Sequence, residues 1–447
     1  MIERVLYRNE KQLNPNSLLE KLSKYDFLNH EEIAQLEFRE LKSVLEHSNK
    51  TVPYYKNLFL KANFDPSQMK SVSDIQRIPF LEKGVLFQQT NDLLSGIYNF
   101  NNLQRLQTGG STGEPLVLFA DAFENTMHSS FNWSQWQRLN IKPGVRSLHA
   151  HGMSHVDYPQ TVHLSQKEDD PILTLHRPAL DLAPQWNEIV EKISAHKPIL
   201  LYGFPSVISE LAHFVLENRI QSLISIKHIS LSSEDILPQQ RQLIEAAFQT
   251  PCYGFYGQTE RCVLAMNCEK SQSYHLYPGY AYIELIDEAG EIITKPGVMG
   301  EVVGTSFVNY AMPFIRYRTG DLATWEAVPC ECGRSHKRFA ELKGRKRSRV
   351  YFPDGTSAFF GSDLYDDLWK IETHFRQIQF VQTNKESLDV RVVAFKNTSQ
   401  KQLKDNIEKI MKKTLGRELA LNVHFVDGVE RSPRGKSLLF IQKISHS

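Results

Sequence analysis

Two sets of residues in this chain have the types and spacing to do chemistry. Thr108-Gly109-Gly110-Ser111-Thr112-Gly113 alternates glycines with hydroxyls. Glycine lets the backbone approach a ligand closely and aim its N–H groups at an anion, and the hydroxyls add donors, so the loop suits phosphate oxygens. The same composition also makes plain turns. It is not a Walker A loop, because Gly-Lys-Ser/Thr is absent and Glu114 stands where the lysine is needed. The second set is Cys268, His275, Cys330 and Cys332. Two soft thiolates one residue apart, followed by Gly333, read as a tight metal knuckle that Cys268 and His275 complete as a tetrahedral Cys3His zinc site. Buried, merely reduced thiols are the competing reading. Cys252 and Cys262 fall outside the set and read as packing residues.

Composition bounds the class. A chain of 447 residues suits two or three domains. With 41% hydrophobic and 23% charged residues and a net charge of +1, it reads as an ordinary globular protein. The charge balance points to neither nucleic acid nor an anionic membrane as a bulk partner. Lys343, Arg345, Lys346, Arg347 and Arg349 cluster locally, and a solvated linker face explains them better than a dedicated polyanion site. No stretch approaches the 18 apolar residues of a membrane span, and the N-terminus has no apolar core of signal-peptide length. Five cysteines argue for a reducing compartment, so a cytoplasmic location is expected.

The elements that must position these residues follow from pattern. Asn29 and Glu32 have capping-box spacing, and Ile33, Leu36, Leu41 and Leu45 recur at helical intervals until Pro53. A strand over 116–120 leads to Asp121 and Glu124, a second capping-box pattern opening a helix. Strands are predicted over 199–204, 226–231 and 252–256, with helices from Pro205 and over 238–248 between them. Such alternation implies parallel sheet flanked by helices. From Tyr282 the runs 282–286, 291–294 and 301–308 read as antiparallel strands of a β-rich subdomain spanning about 275–343. Beyond 344 a strand over 388–395, a helix over 402–415 and a strand over 419–426 make a small α+β unit. The expected fold is therefore α/β, with a large domain over 1–343 and a small one over 344–447.

Further motifs appear in order after the glycine loop: Tyr256-Gly257-Gln258-Thr259-Glu260, Arg316-Tyr317-Arg318-Thr319-Gly320-Asp321, Gly344-Arg345, and Arg431-Ser432-Pro433-Arg434-Gly435-Lys436. Together they resemble the adenylate-forming enzymes, which activate a carboxylic acid with ATP. Val52-Pro53-Tyr54-Tyr55-Lys56, Ile78-Pro79-Phe80-Leu81-Glu82-Lys83 and Tyr202-Gly203-Phe204-Pro205-Ser206 are similar to the phenylacetate–CoA ligase branch, and residues 256–261 to its CapK-type members, encoded with polysaccharide genes. The resemblance covers nearly everything from Val52 onward.

The resemblance implies a mobile C-terminal lid and a set of roles. Thr108, Gly109, Gly110, Ser111, Thr112 and Gly113 would hold the β- and γ-phosphates of ATP, and Glu260 with the Thr112 hydroxyl would hold Mg2+, a hard cation suited to oxygen ligands. Tyr256 would line the adenine, Gly257 would leave it room, and Gln258 and Thr259 belong to the same stretch. Ser232, Ser233 and Glu234 fall where the family places the other adenine wall. Asp321 would accept the ribose hydroxyls with Arg345 assisting, and Lys436 would bridge the substrate carboxylate and the α-phosphate. Trp133, Trp136, His149, His151, Tyr202 and Phe204 lie on segments near the acyl pocket, although aromatics at such spacing are more often core. A similar Cys/His, then Cys-x-Cys-Gly, arrangement occurs in the branch. The sequence departs from the family after Gly344-Arg345, where Lys346-Arg347-Ser348 replaces the usual hinge aspartate.

The partners expected are a small carboxylic acid and an acyl acceptor, either CoA or an amine or hydroxyl of a sugar or amino acid, with a homodimer as the assembly to test. A non-catalytic protein that keeps the fold and binds nucleotide is the alternative. A nucleotide kinase is disfavoured by the missing Walker lysine.

Overall fold

The computed structural model describes residues 15–108, 116–152, 163–165, 170–177, 186–345, 349–360, 367–368, 375–395, 398–416, 419–432 and 436–444. They group into two compact units, one of Met1–Val145 with Tyr253–Leu342, the other of Arg146–Cys252 with Lys343–Ser447. The segment after 343 thus packs with the middle of the chain.

The first unit opens with helices Pro15–Ser23, His30–Thr51 and Pro53–Lys61. The Asn29–Glu32 capping box forms reciprocally, at 3.0 and 2.8 Å, and satisfies donors that the helix cannot. Ile33, Leu36, Leu41, Val44 and Leu45 form the buried face. Pro53 begins the next helix, where its missing N–H costs nothing. Strand Gln104–Gln107, which no sequence pattern marked, pairs antiparallel with Val117–Ala120, so the glycine loop joins the two arms of a hairpin. Asp121 caps the following helix, Ala122–Gln137, by accepting the Glu124 N–H at 2.6 Å. The rest of the unit is antiparallel sheet in the order Ala281–Ile286, Met299–Ser306, Tyr317–Trp325, Arg338–Arg345, Ser271–Leu276, Leu264–Cys268 and Cys252–Gly257. Of the run 291–294, only Ile292 joins a ladder, by a single bridge to Ile286.

In the second unit four parallel strands lie side by side in the order His228–Ser232, Leu200–Gly203, Ser147–Gly152 and Ile172–Arg177. Helices Trp186–His196, Pro205–Glu217 and Pro238–Phe248 bury Ile193, Leu211 and Ile244 against Leu148, Leu201 and Ile229 of those strands. Covering a parallel sheet with helices explains why its strands read as continuous apolar runs. A second core belongs to the C-terminal strands Phe375–Gln382, Ser387–Ala394, Ala420–Phe425 and Phe440–Gln442. Helix Gln400–Leu415 packs there through Leu403, Ile407 and Met411, spaced by four as one helical face requires, and ends at Gly416 with φ 62°. Among the described residues no helix is long and apolar enough to cross a membrane.

Candidate active site

The parallel strands of the second unit end together and present a group of rings. His149 pairs in register with Tyr202, and Ala150 with Gly203. A Cβ on Gly203 would lie 1.9 Å from the Ala150 carbonyl oxygen, so only glycine allows this approach, in a backbone with φ 152°. The approach lets the Phe204 N–H donate to the Ala150 carbonyl at 2.8 Å and delivers the Phe204 ring 5.6 Å from His151. His149 and His151 stand 5.5 Å apart, each with an edge toward Tyr202, at 5.3 and 5.4 Å. Burial pushes the His149 imidazole down to about 4 against the pull of Asp170. It pushes His151 down to about 3, with His149, His176 and Lys436 adding to the effect. Both rings are therefore neutral near pH 7.

Lys436 reaches this group, its Nζ lying 5.4 Å from the Phe204 ring centroid. Ser233 follows the His228–Ser232 strand in a left-handed conformation, φ 73°, uncommon for a side chain with a Cβ. The turn aims Glu234 at the start of the Pro205–Glu217 helix, where its carboxylate accepts the Ser206 N–H and hydroxyl at 3.0 Å each. Sequence reasoning missed Ser206 as its partner, and the pairing of Arg431 with Glu210 on the same helix. A serine just inside a helix start was the available signal.

The other motif residues meet in the first unit. Tyr256 donates its hydroxyl to Asp321 at 2.7 Å, and the Gln258 amide donates to the same carboxylate oxygen at 2.7 Å. The Cys262 thiol donates to Gln258 at 3.1 Å. Burial, then the Asp321 charge, holds the Tyr256 phenol well above its usual range, so it acts as a donor. Gly257 ends its strand, Thr259 sits in the turn that the Arg261 N–H closes onto Gln258 at 3.1 Å, and Glu260 accepts the Tyr317 hydroxyl at 3.1 Å. Arg261, left-handed at φ 54°, donates to Glu124 at 3.0 Å and to Asn125 at 2.7 Å. Glu124, expected only as a capping-box partner, thus also accepts a hydrogen bond from Arg261 across the unit. Trp133 and Trp136 stack edge-on at 4.8 Å, and Trp136 packs against Phe255 in the core.

Thr108 ties the base of the glycine loop, its N–H donating to the Leu116 carbonyl and its hydroxyl accepting from the Leu116 N–H, both at 2.9 Å. Gly109, Gly110, Ser111, Thr112 and Gly113 lie outside the described residues, as do Lys346, Arg347 and Ser348 of the altered hinge. Arg345 is the last residue of its strand.

Cys268, His275, Cys330 and Cys332 come together, their ligand atoms all within 4.8 Å of one another. The Cys268 and Cys330 sulfurs are 3.5 Å apart, and the Cys332 sulfur is 3.7 Å from His275 Nε2. For bonds of about 2.3 Å to sulfur and 2.0 Å to nitrogen, the edges of a tetrahedron are about 3.5–3.8 Å, which these two separations match. Burial drives the His275 imidazole down to about 2, which leaves the neutral form that coordinates. Cys252 and Cys262 are buried apart from this set.

A helix-covered parallel sheet, an antiparallel region and a small C-terminal α+β region together give the architecture of the adenylate-forming ligases. Solved 2-hydroxyisobutyryl-CoA ligase, in complex with 2-HIB-AMP, matches it with a TM-score of 0.74 at 19% identity, over 94% of this chain and 91% of that one. The family model of the CapK C-terminal domain matches residues 359–443. Protein CapK of Staphylococcus aureus is 19% identical over 416 residues, 92% of this chain and 90% of its own. The phenylacetate-coenzyme A ligase of Thermus thermophilus is 23% identical over 332 residues, 71% of each chain. These likenesses bear out the resemblance to the phenylacetate–CoA ligase branch and its CapK-type members.

The Glu124–Arg261 pair generates a pH prediction. Burial raises the Glu124 carboxyl from 4.5 to about 8 against the pull of Arg261. A folded-state pKa above the unfolded one gives stability that is complete below about 4.5 and is lost as pH rises through about 8. Thermal midpoints should therefore fall over that range, and Glu124→Gln should flatten the decline. Parallel curves for the two proteins would contradict it.

Proposed function

We propose that this chain activates a carboxylic acid with ATP, releasing pyrophosphate to give an acyl-adenylate, and then transfers the acyl group to an acceptor. The acid oxygen forms the new bond to the α-phosphorus while the bond to pyrophosphate breaks. Two anions must be brought together, and at an effective dielectric near 20 their repulsion at 4 Å is about 4 kcal/mol. Cationic and N–H donors must offset it.

The observation that carries the reading is the position of Lys436 beside Phe204, at the ends of the parallel strands. Open α/β sheets bind ligands at those ends. Lys436 there bridges the carboxylate and the α-phosphate, with His151 and Phe204 against the acyl group. Asp321, held by Tyr256 and Gln258, accepts the ribose hydroxyls with Arg345 assisting. The 108–113 loop cradles the outer phosphates. Glu260 and Thr112 offer oxygen ligands for Mg2+, which neutralises phosphate charge when bound. The Cys268, His275, Cys330 and Cys332 set holds a structural zinc that pins the strands carrying it. The acceptor is CoA, as in the phenylacetate ligases, or an amine or hydroxyl, as glycan decoration by a CapK-type protein suggests. The protein works in the cytoplasm.

Two experiments follow. ATP–pyrophosphate exchange across a panel of carboxylic acids should identify a substrate, and Lys436→Ala should slow it by roughly 10²-fold, the scale of losing one transition-state donor. A rate within about threefold of wild type refutes the role of Lys436. No exchange with any acid, while nucleotide still binds, favours a non-catalytic protein. Metal analysis of protein purified without chelators should find about one zinc per chain, as a closed four-ligand site requires. Less than half an equivalent contradicts the zinc assignment.

A further inference from the structure

The turn that carries Lys436 is fastened within its own unit by groups that have no part in the chemistry so far. The Ser432 N–H donates to the Lys436 carbonyl at 3.0 Å, the Lys436 N–H donates to the Ser432 hydroxyl at 3.1 Å, and Arg431 bridges antiparallel to Ser437. Outside that turn, the Gln379 amide, fully buried, donates to the carbonyls of Glu430 and Leu438 at 2.7 and 2.6 Å and accepts the Glu430 N–H at 3.1 Å. Its two flanks are therefore tied to one side chain of the neighbouring strand.

Two further ties set where the turn stands. The Ser437 N–H donates to Glu234 Oε1 at 2.6 Å. That carboxylate also accepts both donors of Ser206, in the first turn of the Pro205–Glu217 helix, where the helix dipole favours a negative charge. Arg431, only 2% exposed, pairs with Glu210 one turn further along the same helix and donates to the Ser206 hydroxyl at 3.4 Å. Gln377 donates to the same Glu210 oxygen at 2.9 Å. Glu234 comes from the end of one parallel strand, and Ser206 follows the end of the next. Phe204, the first residue after the second of these strands, carries the ring that Lys436 faces.

We propose that Glu234 is a positioning residue for Lys436: through the Ser437 N–H it fixes the lysine turn to the helix start beside Phe204, and Arg431 with Glu210 makes the second point of the clasp. The assignment rests on the adenylation role of Lys436 given above. Three donors converge on the carboxylate, two on Oε1 and one on Oε2. Glutamine can keep the two bonds on one oxygen, but its amide N–H group must face the Ser206 N–H. It is therefore a partial replacement, and alanine removes the anchor.

The test compares Glu234→Ala and Glu234→Gln with wild type in the full-length protein. With an acid that supports exchange, Glu234→Ala should lower kcat by about 10- to 100-fold, the scale of a displacement of about 1 Å in a catalytic group. Glu234→Gln should recover part of the loss. In a Lys436→Ala background Glu234→Ala should add less than twofold, because both act through one ammonium group. A second readout needs no activity: tryptic cleavage after Lys436, measured well below the thermal midpoint of both proteins, should quicken at least fivefold in Glu234→Ala. Glutamine, which keeps the carboxylate's shape, supplies both readouts if the alanine variant fails to fold. Cleavage at the wild-type rate overturns the clasp, whether or not an acid substrate is found. Exchange within twofold of wild type, or effects of the two substitutions that multiply, overturns the positioning role. Absence of exchange in the wild-type protein counts against the proposed reaction, with the proteolysis result still deciding on the clasp.

Discussion

Adjacent parallel strands can end side by side only as closely as their backbones allow, and here one pair ends closer than any side chain permits. With no Cβ at Gly203 to meet the Ala150 carbonyl, the chain turns straight from the strand into Phe204 and the helix start at Pro205. The neighbouring strand then turns through Ser233 in a left-handed conformation. Two strands thereby gather His149, His151, Tyr202 and Phe204, and the third brings Glu234 to the helix start that follows Phe204. The position of Lys436 depends on that convergence, since the groups that anchor its turn, Ser206 and Glu234, are supplied by the same turns.

The first unit solves a different problem, the placing of charged groups in a largely apolar interior. Burying an ion pair costs solvation that the attraction seldom repays in stability, but breaking one leaves an uncompensated charge and costs more. Arg316 with Glu284, only 4% and 3% exposed, therefore acts as a fixed point, and the hydrogen bond from Arg261 to the buried Glu124 carboxyl makes a second. Both arginines sit in left-handed backbone, φ 49° and 54°. Such strain persists where the surroundings over-determine it. Each arginine lies one or a few residues from a motif side chain, Tyr317 after the first and Glu260 before the second. The pairs thus hold the chain in register where Tyr317 meets Glu260 and Tyr256 meets Asp321.

What could be read from the sequence was local or carried by motif. The Asn29–Glu32 capping box, the helices at Pro205 and Pro238, and the parallel strands depend on neighbours within a few residues or on periodicity, and they form as expected. The cysteine and histidine set was legible because soft ligands at tight spacing have few other uses. Contacts between residues more than 200 apart leave no such trace. Nothing adjacent to Glu234 marks Ser437 as its partner, and nothing near Arg431 marks Glu210. Glu124 shows how a local signal can be correct yet incomplete: it sits at the third position of a capped helix, but its carboxylate serves Arg261. The run 291–294 alternates like a strand, yet its neighbour across the sheet offers only one bridge.

The central claim is that Lys436, held at the ends of the parallel strands, contacts the carboxylate as it is activated. The most direct test is a crystal structure of the protein with a non-hydrolysable acyl-sulfamoyl adenylate of the acid found by exchange. The account predicts the Lys436 ammonium within hydrogen-bond distance of the acyl or sulfamoyl oxygens, with the acyl group against Phe204 and His151. An adenylate bound with its acyl group away from these rings, or with Lys436 out of reach of it, would contradict the account.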